Sequence, residues 1–181
     1  MIIRRNNSNT LTLESSMDKS GITIKNLDGQ LMVVVSDGSK DIEITRPGDY
    51  EYFGLGITGF ELQKEKFKGI INILKLNVDG VKIVFTADFD EINKDILSSL
   101  ANIAILAIPS NEASIVKNLV NAVEPKKLVL IKNFGGKDSE IESITKTLGI
   151  PSAQEVSSIK NKIGDFPESS DEFILQGEIL T

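Results

Sequence analysis

The dipeptide Asp-Gly occurs three times in this chain of 181 residues, each time between two apolar runs. A two-residue hairpin of type I′ needs positive φ at both central positions, which glycine adopts freely and aspartate tolerates. Asp28-Gly29 separates Ile22-Thr23-Ile24 from Leu31-Met32-Val33-Val34-Val35, and Asp37-Gly38 separates that run from Ile42-Glu43-Ile44. Asp79-Gly80 lies between the runs 70–78 and 81–85. The first half therefore reads as an antiparallel β meander.

From Asp88 onward the period changes. Asp90 can cap a helix over about 90–101 whose residues Ile92, Ile96, Leu97 and Leu100 share one face. The apolar run 103–108 reads as a buried strand. Ser110 can cap a second helix, near 112–123, with Glu112 in its first turn and Ile115, Leu119, Val120 and Val123 on one face. Residues 127–131 read as another buried strand. A third helix over about 139–148 carries Ile141, Ile144 and Leu148, and it stops at Gly149-Ile150-Pro151. The tail predicts an edge strand at Phe173-Ile174-Leu175, reached through the loop-like Pro167-Glu168-Ser169-Ser170-Asp171. The expected class is α/β (α+β), with helices mainly in the second half. With no repeat and no long linker, the chain reads as one domain over 1–181.

Composition excludes several chemistries. The chain has no histidine and no cysteine. Ser-His-Asp and Cys-His catalysis are thereby removed, and zinc loses the nitrogen and sulfur ligands it favours. Any metal would fall to carboxylates, amides and carbonyls, which suit magnesium, calcium or manganese better. Twenty basic against 26 acidic residues leave a net charge of −6. Arg4, Arg5 and Arg46 are the only arginines, so phosphate forks are scarce and nucleic acid is not expected as a partner. The stretch Lys64-Glu65-Lys66-Phe67-Lys68 reads as a solvated strand edge or turn. No run reaches the roughly 20 apolar residues of a membrane span. The start, Met1-Ile2-Ile3-Arg4-Arg5-Asn6, lacks a signal-peptide core, so the expected setting is the cytoplasm.

Four segments in fixed order resemble the metallo-β-lactamase superfamily, in particular its ascorbate-phosphate-lactonase-like zinc-dependent hydrolases. Pro47-Gly48-Asp49-Tyr50-Glu51-Tyr52-Phe53-Gly54-Leu55-Gly56-Ile57-Thr58-Gly59 is similar to that group's P-G-E-Y-E-x-x-G-I-x-V-x-G segment. Residues 79–88 resemble its D-G-x-x-I-x-H-x-G-D hairpin, and 102–109 its D-I-L-x-x-P strand. Residues 113–131, with Glu124-Pro125-Lys126 inside, are similar to the helix and I-x-P-K-x-x-I-P strand ahead of its last metal histidine. The resemblance covers about 30–135 and implies a sandwich of two mixed or antiparallel sheets.

It also implies that the usual metal site is degraded. The family's H-x-H-x-D-H loop follows an apolar strand ending in Ser-His, whereas Val33-Val34-Val35-Ser36 runs straight into Asp37-Gly38. Phe85 stands at the second hairpin's histidine, Asp88 at the bridging aspartate and Asn133 near the terminal histidine. Asp88 carries over, Asn133 only as a substitution, and Asp37 joins them if its turn points the same way. Each has a plainer reading: Asp88 as a helix-proximal cap or relic, Asp37 as a turn residue.

Two further motifs fail on context. Gly54-Leu55-Gly56-Ile57-Thr58-Gly59 spells G-x-G-x-x-G with Asp79 beyond it, but Phe60-Glu61-Leu62-Gln63 opens no helix to bind a pyrophosphate. Ser157-Ser158-Ile159-Lys160 spells S-x-x-K without S-D-N or K-T-G partners, and reads as a surface strand.

The expected function is accordingly a non-catalytic binding or assembly module that takes no cofactor. The alternative is a metal-dependent hydrolase of small molecules using the oxygen ligands Asp37, Asp88 and Asn133, with magnesium or manganese rather than zinc. Loss of the histidine loop and its helix is expected to leave one sheet face partly bare. The face of Val33, Val35, Ile42 and Ile44 is the candidate contact region for a homo-oligomer or protein partner. The long strand 70–78 is expected to offer an edge for strand pairing. The competing expectation is that the sheets close over one another in a monomer.

Overall fold

The computed structural model describes residues 1–17, 19–62, 68–87, 92–109, 112–131, 141–150, 154–160 and 176–180; residues 109, 154–156 and 176–180 are described by backbone alone. The chain runs β1 (Ile2–Asn7), β2 (Thr10–Glu14), β3 (Gly21–Leu27), β4 (Gln30–Ser36), β5 (Asp41–Ile44), β6 (Gly48–Tyr52), β7 (Leu55–Phe60), β8 (Ile73–Val78) and β9 (Val81–Thr86). It continues through α1 (Lys94–Ser99), β10 (Ile105–Pro109), α2 (Ala113–Val123), β11 (Lys127–Ile131), α3 (Ile141–Leu148), β12 (Gln154–Val156), β13 (Ser158–Lys160) and β14 (Gln176–Leu180). Two sheets result. One has six strands in the order β13-β1-β2-β3-β4-β5, the other eight in the order β12-β14-β11-β10-β9-β8-β7-β6.

The hairpin signals act as their chemistry dictates. Asp28 and Gly29 have φ of 54° and 89°, and Asp79 and Gly80 have 52° and 77°, so both dipeptides form tight turns with two positive φ values. At Asp37-Gly38 only glycine is left-handed, with φ 87°, and the loop is longer. A further tight turn, at Phe53-Gly54 with φ of 53° and 73°, has no Asp-Gly to announce it. The meander does not stay in one sheet. It divides between β5 and β6, at residues 45–47, and Pro47 cannot continue a ladder as a donor.

The six-stranded sheet is antiparallel throughout its pairings. The eight-stranded sheet is antiparallel from β6 to β9 and parallel from β9 through β10 and β11 to β14. An isolated antiparallel bridge, Leu31 to Ile71, joins the sheets at one end. Alternation along the strands separates two cores. Leu11, Leu13, Ile22, Ile24, Ile83, Phe85 and Val129 pack between the sheets. Val84, Leu106, Leu128 and Leu130 on the opposite face of the larger sheet pack under Ile96, Val116, Leu119 and Ile144 of the helices. The class is α+β, with the helices in the second half.

Local details differ from the sequence reading. Asn93 caps α1, its Oδ1 accepting from the Ile96 amide at 2.8 Å. Glu112 sits at the α2 N-cap, not in the first turn, and makes no side-chain cap bond. Asp90, Ser110, 64–67 and 167–175 lie outside the described residues. β8 begins only at Ile73 and is paired on both sides, by β7 and β9, so it offers no edge. The G-x-G-x-x-G stretch forms a turn and strand β7. Ser158–Lys160 is a strand pairing β1, with Ile159 buried.

The expected contact face is instead part of the core. Val33 and Val35 are fully buried and Ile44 is 3 % exposed, all between the sheets, with Ile42 in register beside Val35. The reason is that the eight-stranded sheet closes over this face. The opposite face of the smaller sheet carries Arg4, Thr12, Thr23, Lys25, Met32, Val34 and Glu43, half-buried or exposed and mostly polar. No helix is long and apolar enough to cross a membrane among the described residues.

Candidate functional site

Strand direction divides the sandwich into two poles. The carboxyl ends of the parallel strands β9, β10 and β11 all emerge at one of them. Ligands of sheets containing parallel strands gather at such ends, because loops from neighbouring strands converge there. Here the Ala87 amide donates to the Asn72 carbonyl at 2.7 Å, and the Leu31 amide donates to the Ile71 carbonyl at 2.8 Å. The start of β4 therefore lies beside the end of β9. Asp88 and Asn133, two of the three candidate ligands, lie outside the described residues.

Phe85 is the next inward-facing position before Ala87. It is 1 % exposed, paired with Leu74 on one side and Ala107 on the other, and packed between the sheets. A ring in that position serves the core; it has no atom that can bind a metal.

Among the described residues two buried polar side chains stand near the same pole. Asn72 is fully buried, its Oδ1 accepting from the Leu62 amide at 3.2 Å. Asn72 Nδ2 and Thr86 Oγ1 are buried with no hydrogen-bond partner among the described residues. Sequence reading missed both: Asn72 lies in no motif, Thr86 falls at an unspecified position of the 79–88 segment, and each is defined only by its burial. Gly59 fits closely here: a Cβ on it would come within 3.1 Å of Ile71.

Asp37 is at the other pole. It follows Ser36 at the end of β4, six residues beyond Leu31. At about 3.3 Å per strand residue this places it about 20 Å from the Leu31–Ala87 neighbourhood. Whether the Asp37 turn points toward Asp88 falls outside the described residues. Asp37 is a turn residue. Its Oδ1 accepts from the Ser39 amide, the Ser39 hydroxyl and the Lys40 amide, each at 2.8 Å. These bonds, led by the Ser39 amide, hold its carboxyl below the usual range.

Asp79 makes a denser cluster at this second pole. Its Oδ1 accepts from the Ser15 hydroxyl at 2.6 Å, and its Oδ2 from the Ser16 amide and hydroxyl, each at 2.7 Å. The amino-terminal ammonium of Met1 stands 3.0 Å from Oδ2, and the Asp79 side chain is 9 % exposed. Burial pushes this carboxyl up, but the serine donors and the ammonium outweigh it and hold it well below the usual range. All of these donors fix one anion. The cluster ties the sheets together. Among the described residues no three carboxylates gather as a metal cage.

No family model and no curated protein matches the chain. A solved structure is similar to it: "Putative metal-dependent hydrolase" from Parabacteroides distasonis, 11 % identical, with a TM-score of 0.50 over 80 % of this chain and 95 % of that one. At that identity the likeness speaks to the fold alone.

Proposed function

We propose that this chain is a degenerate, non-catalytic relative of the metallo-β-lactamase-type hydrolases, keeping the two-sheet scaffold as a binding module. The observation that carries the reading is Phe85. Where the resemblance puts a metal histidine, this chain buries a phenyl ring between the sheets, 1 % exposed. The name of the similar structure supports a hydrolase-like scaffold, and the ligand set is what has been lost. With the Asp37 carboxylate engaged by Ser39 and Lys40 in its own turn, the oxygen-only alternative falls to Asp88 and Asn133. Two ligands are fewer than the three protein ligands of a catalytic zinc or the several oxygens of a magnesium or manganese cage. In this reading residues 1–181 act as one domain, in the cytoplasm.

Metal analysis of untagged protein, with calorimetric titration of zinc, magnesium and manganese, tests it. The expected result is no stoichiometric zinc and no saturable heat that Asp88→Asn removes. Tightly bound zinc, or hydrolysis of a phosphoester or lactone that Asp88→Asn abolishes, would overturn it.

A further inference from the structure

Strand β6 ends the eight-stranded sheet, and β5, which precedes it by three residues, ends the six-stranded one. Among the described residues neither strand has a partner on its outer side, and the two edges meet at one corner of the sandwich. The turn at Phe53-Gly54 determines which backbone groups of β6 face away from β7. In a two-residue hairpin the flanking pair, Tyr52 and Leu55, is hydrogen-bonded, and bonded pairs alternate along the ladder. Asp49 and Glu51 thus point their amides and carbonyls away from β7.

The side chains of β6 also sort by face. Asp49 and Glu51 are exposed on one face. Tyr50 and Tyr52 lie on the other, half-buried against the inter-sheet core, their rings stacked 6.5 Å apart at 19°. The Tyr50 hydroxyl donates to the Arg46 carbonyl at 3.0 Å, which holds that ring in place. Asp41 and Glu43 of β5 add two more exposed carboxylates at the corner.

We propose that β6 is a strand-addition site for an extended, basic segment of a partner protein, in which lysine or arginine alternates with apolar side chains. The proposal rests on the reading of the chain as a binding module and names its docking edge. Four backbone groups on Asp49 and Glu51 supply the ladder, while side chains on alternate positions supply the selection. Basic residues of the incoming strand lie beside Asp49 and Glu51; its apolar residues extend the Tyr50–Tyr52 surface. A second copy of this chain does not suit the edge. Antiparallel self-pairing would set carboxylates against carboxylates, between molecules that each carry −6.

A short fluorescent peptide alternating lysine and valine, titrated at low salt and read by anisotropy, tests the proposal. Saturable binding is expected, weakened about tenfold by Asp49→Asn with Glu51→Gln and weakened further by salt. The same peptide N-methylated at alternate backbone positions keeps its charge but loses half its ladder, and is expected not to bind. Equal binding of the methylated peptide would reduce the effect to charge alone and overturn the proposal. So would no binding by the unmodified peptide, or sedimentation as a dimer through this edge. Circular dichroism of the doubly substituted protein shows that it folds. Metal content is independent of these substitutions, so failure at the edge and failure of the non-catalytic reading are separately visible.

Discussion

The Ser15 hydroxyl donates to Asp79 Oδ1 at 2.6 Å across 64 residues of chain. Ser15 follows β2 of the smaller sheet and Asp79 forms the β8–β9 turn of the larger, so this bond latches the two sheets at one pole. The Ser16 amide and hydroxyl and the Met1 ammonium complete the latch on Oδ2.

Asp79→Asn leaves the ammonium facing a neutral amide and forces one serine donor to reorient. A loss of about 2–3 kcal/mol is expected in urea unfolding near neutral pH. The acid limb gives the sign. The folded carboxyl titrates well below its unfolded value near 4, so the unfolded chain binds more protons as pH falls. The latch's contribution is complete above about pH 4–5 and declines as pH drops toward the folded value. The stability gap between wild type and Asp79→Asn should therefore narrow in acid. A gap that stays constant down to pH 2 would mean that the charge of Asp79 contributes nothing.

Phe85→Ala should cost about 3–5 kcal/mol, the range for emptying a buried aromatic site. Phe85→His tests the site more sharply. If the position is core, the imidazole destabilises the fold and no stoichiometric zinc is retained. Zinc retained by a stable Phe85→His protein would mean that the ligand sphere needs only that one residue.

Thr86→Val removes a buried hydroxyl that has no partner among the described residues, at nearly constant volume. Stability should stay level or rise by about 1 kcal/mol, because nothing compensates the burial of that hydroxyl. A clear loss on thermal unfolding would show that the hydroxyl is satisfied in solution.

Val35→Asp separates a core face from a contact face. Val35 is fully buried between the sheets. An uncompensated carboxylate there should leave the chain unfolded or aggregated. A soluble, folded Val35→Asp protein with a changed oligomeric state would reinstate this face as an interface.

Much of the fold was legible along the chain. Asp28-Gly29 and Asp79-Gly80 are turns because local sterics decide φ, whatever surrounds them. The runs at β10 and β11 are strands because continuous burial on two faces leaves little else for five apolar residues between helices. β1 and β2, by contrast, carried no turn dipeptide, and Phe53-Gly54 turned without one. Of the candidate site, the absence of histidine was legible from the letters alone, but where the oxygens of Asp and Asn side chains lie was not.

What the sequence determined by itself was therefore local conformation and chemical capacity: tight turns, strand and helix periods, and a chain with no imidazole or thiolate to offer. Only the tertiary structure decided which face meets which. Alternation in β4 and β5 marks Val33, Val35, Ile42 and Ile44 as one apolar face, yet alternation is silent on whether water, a partner or a second sheet covers it. The covering sheet comes from residues 48–131 and later strands, and it joins by contacts such as Leu31 to Ile71 that no local pattern encodes. The same long-range pairing sends Asp37 and Ala87 to opposite ends of β4 and brings Asp79 to Ser15. Burial and distance are properties of the assembled sheets, because a hydrophobic face is satisfied by any apolar cover and only the chain's full path selects which one.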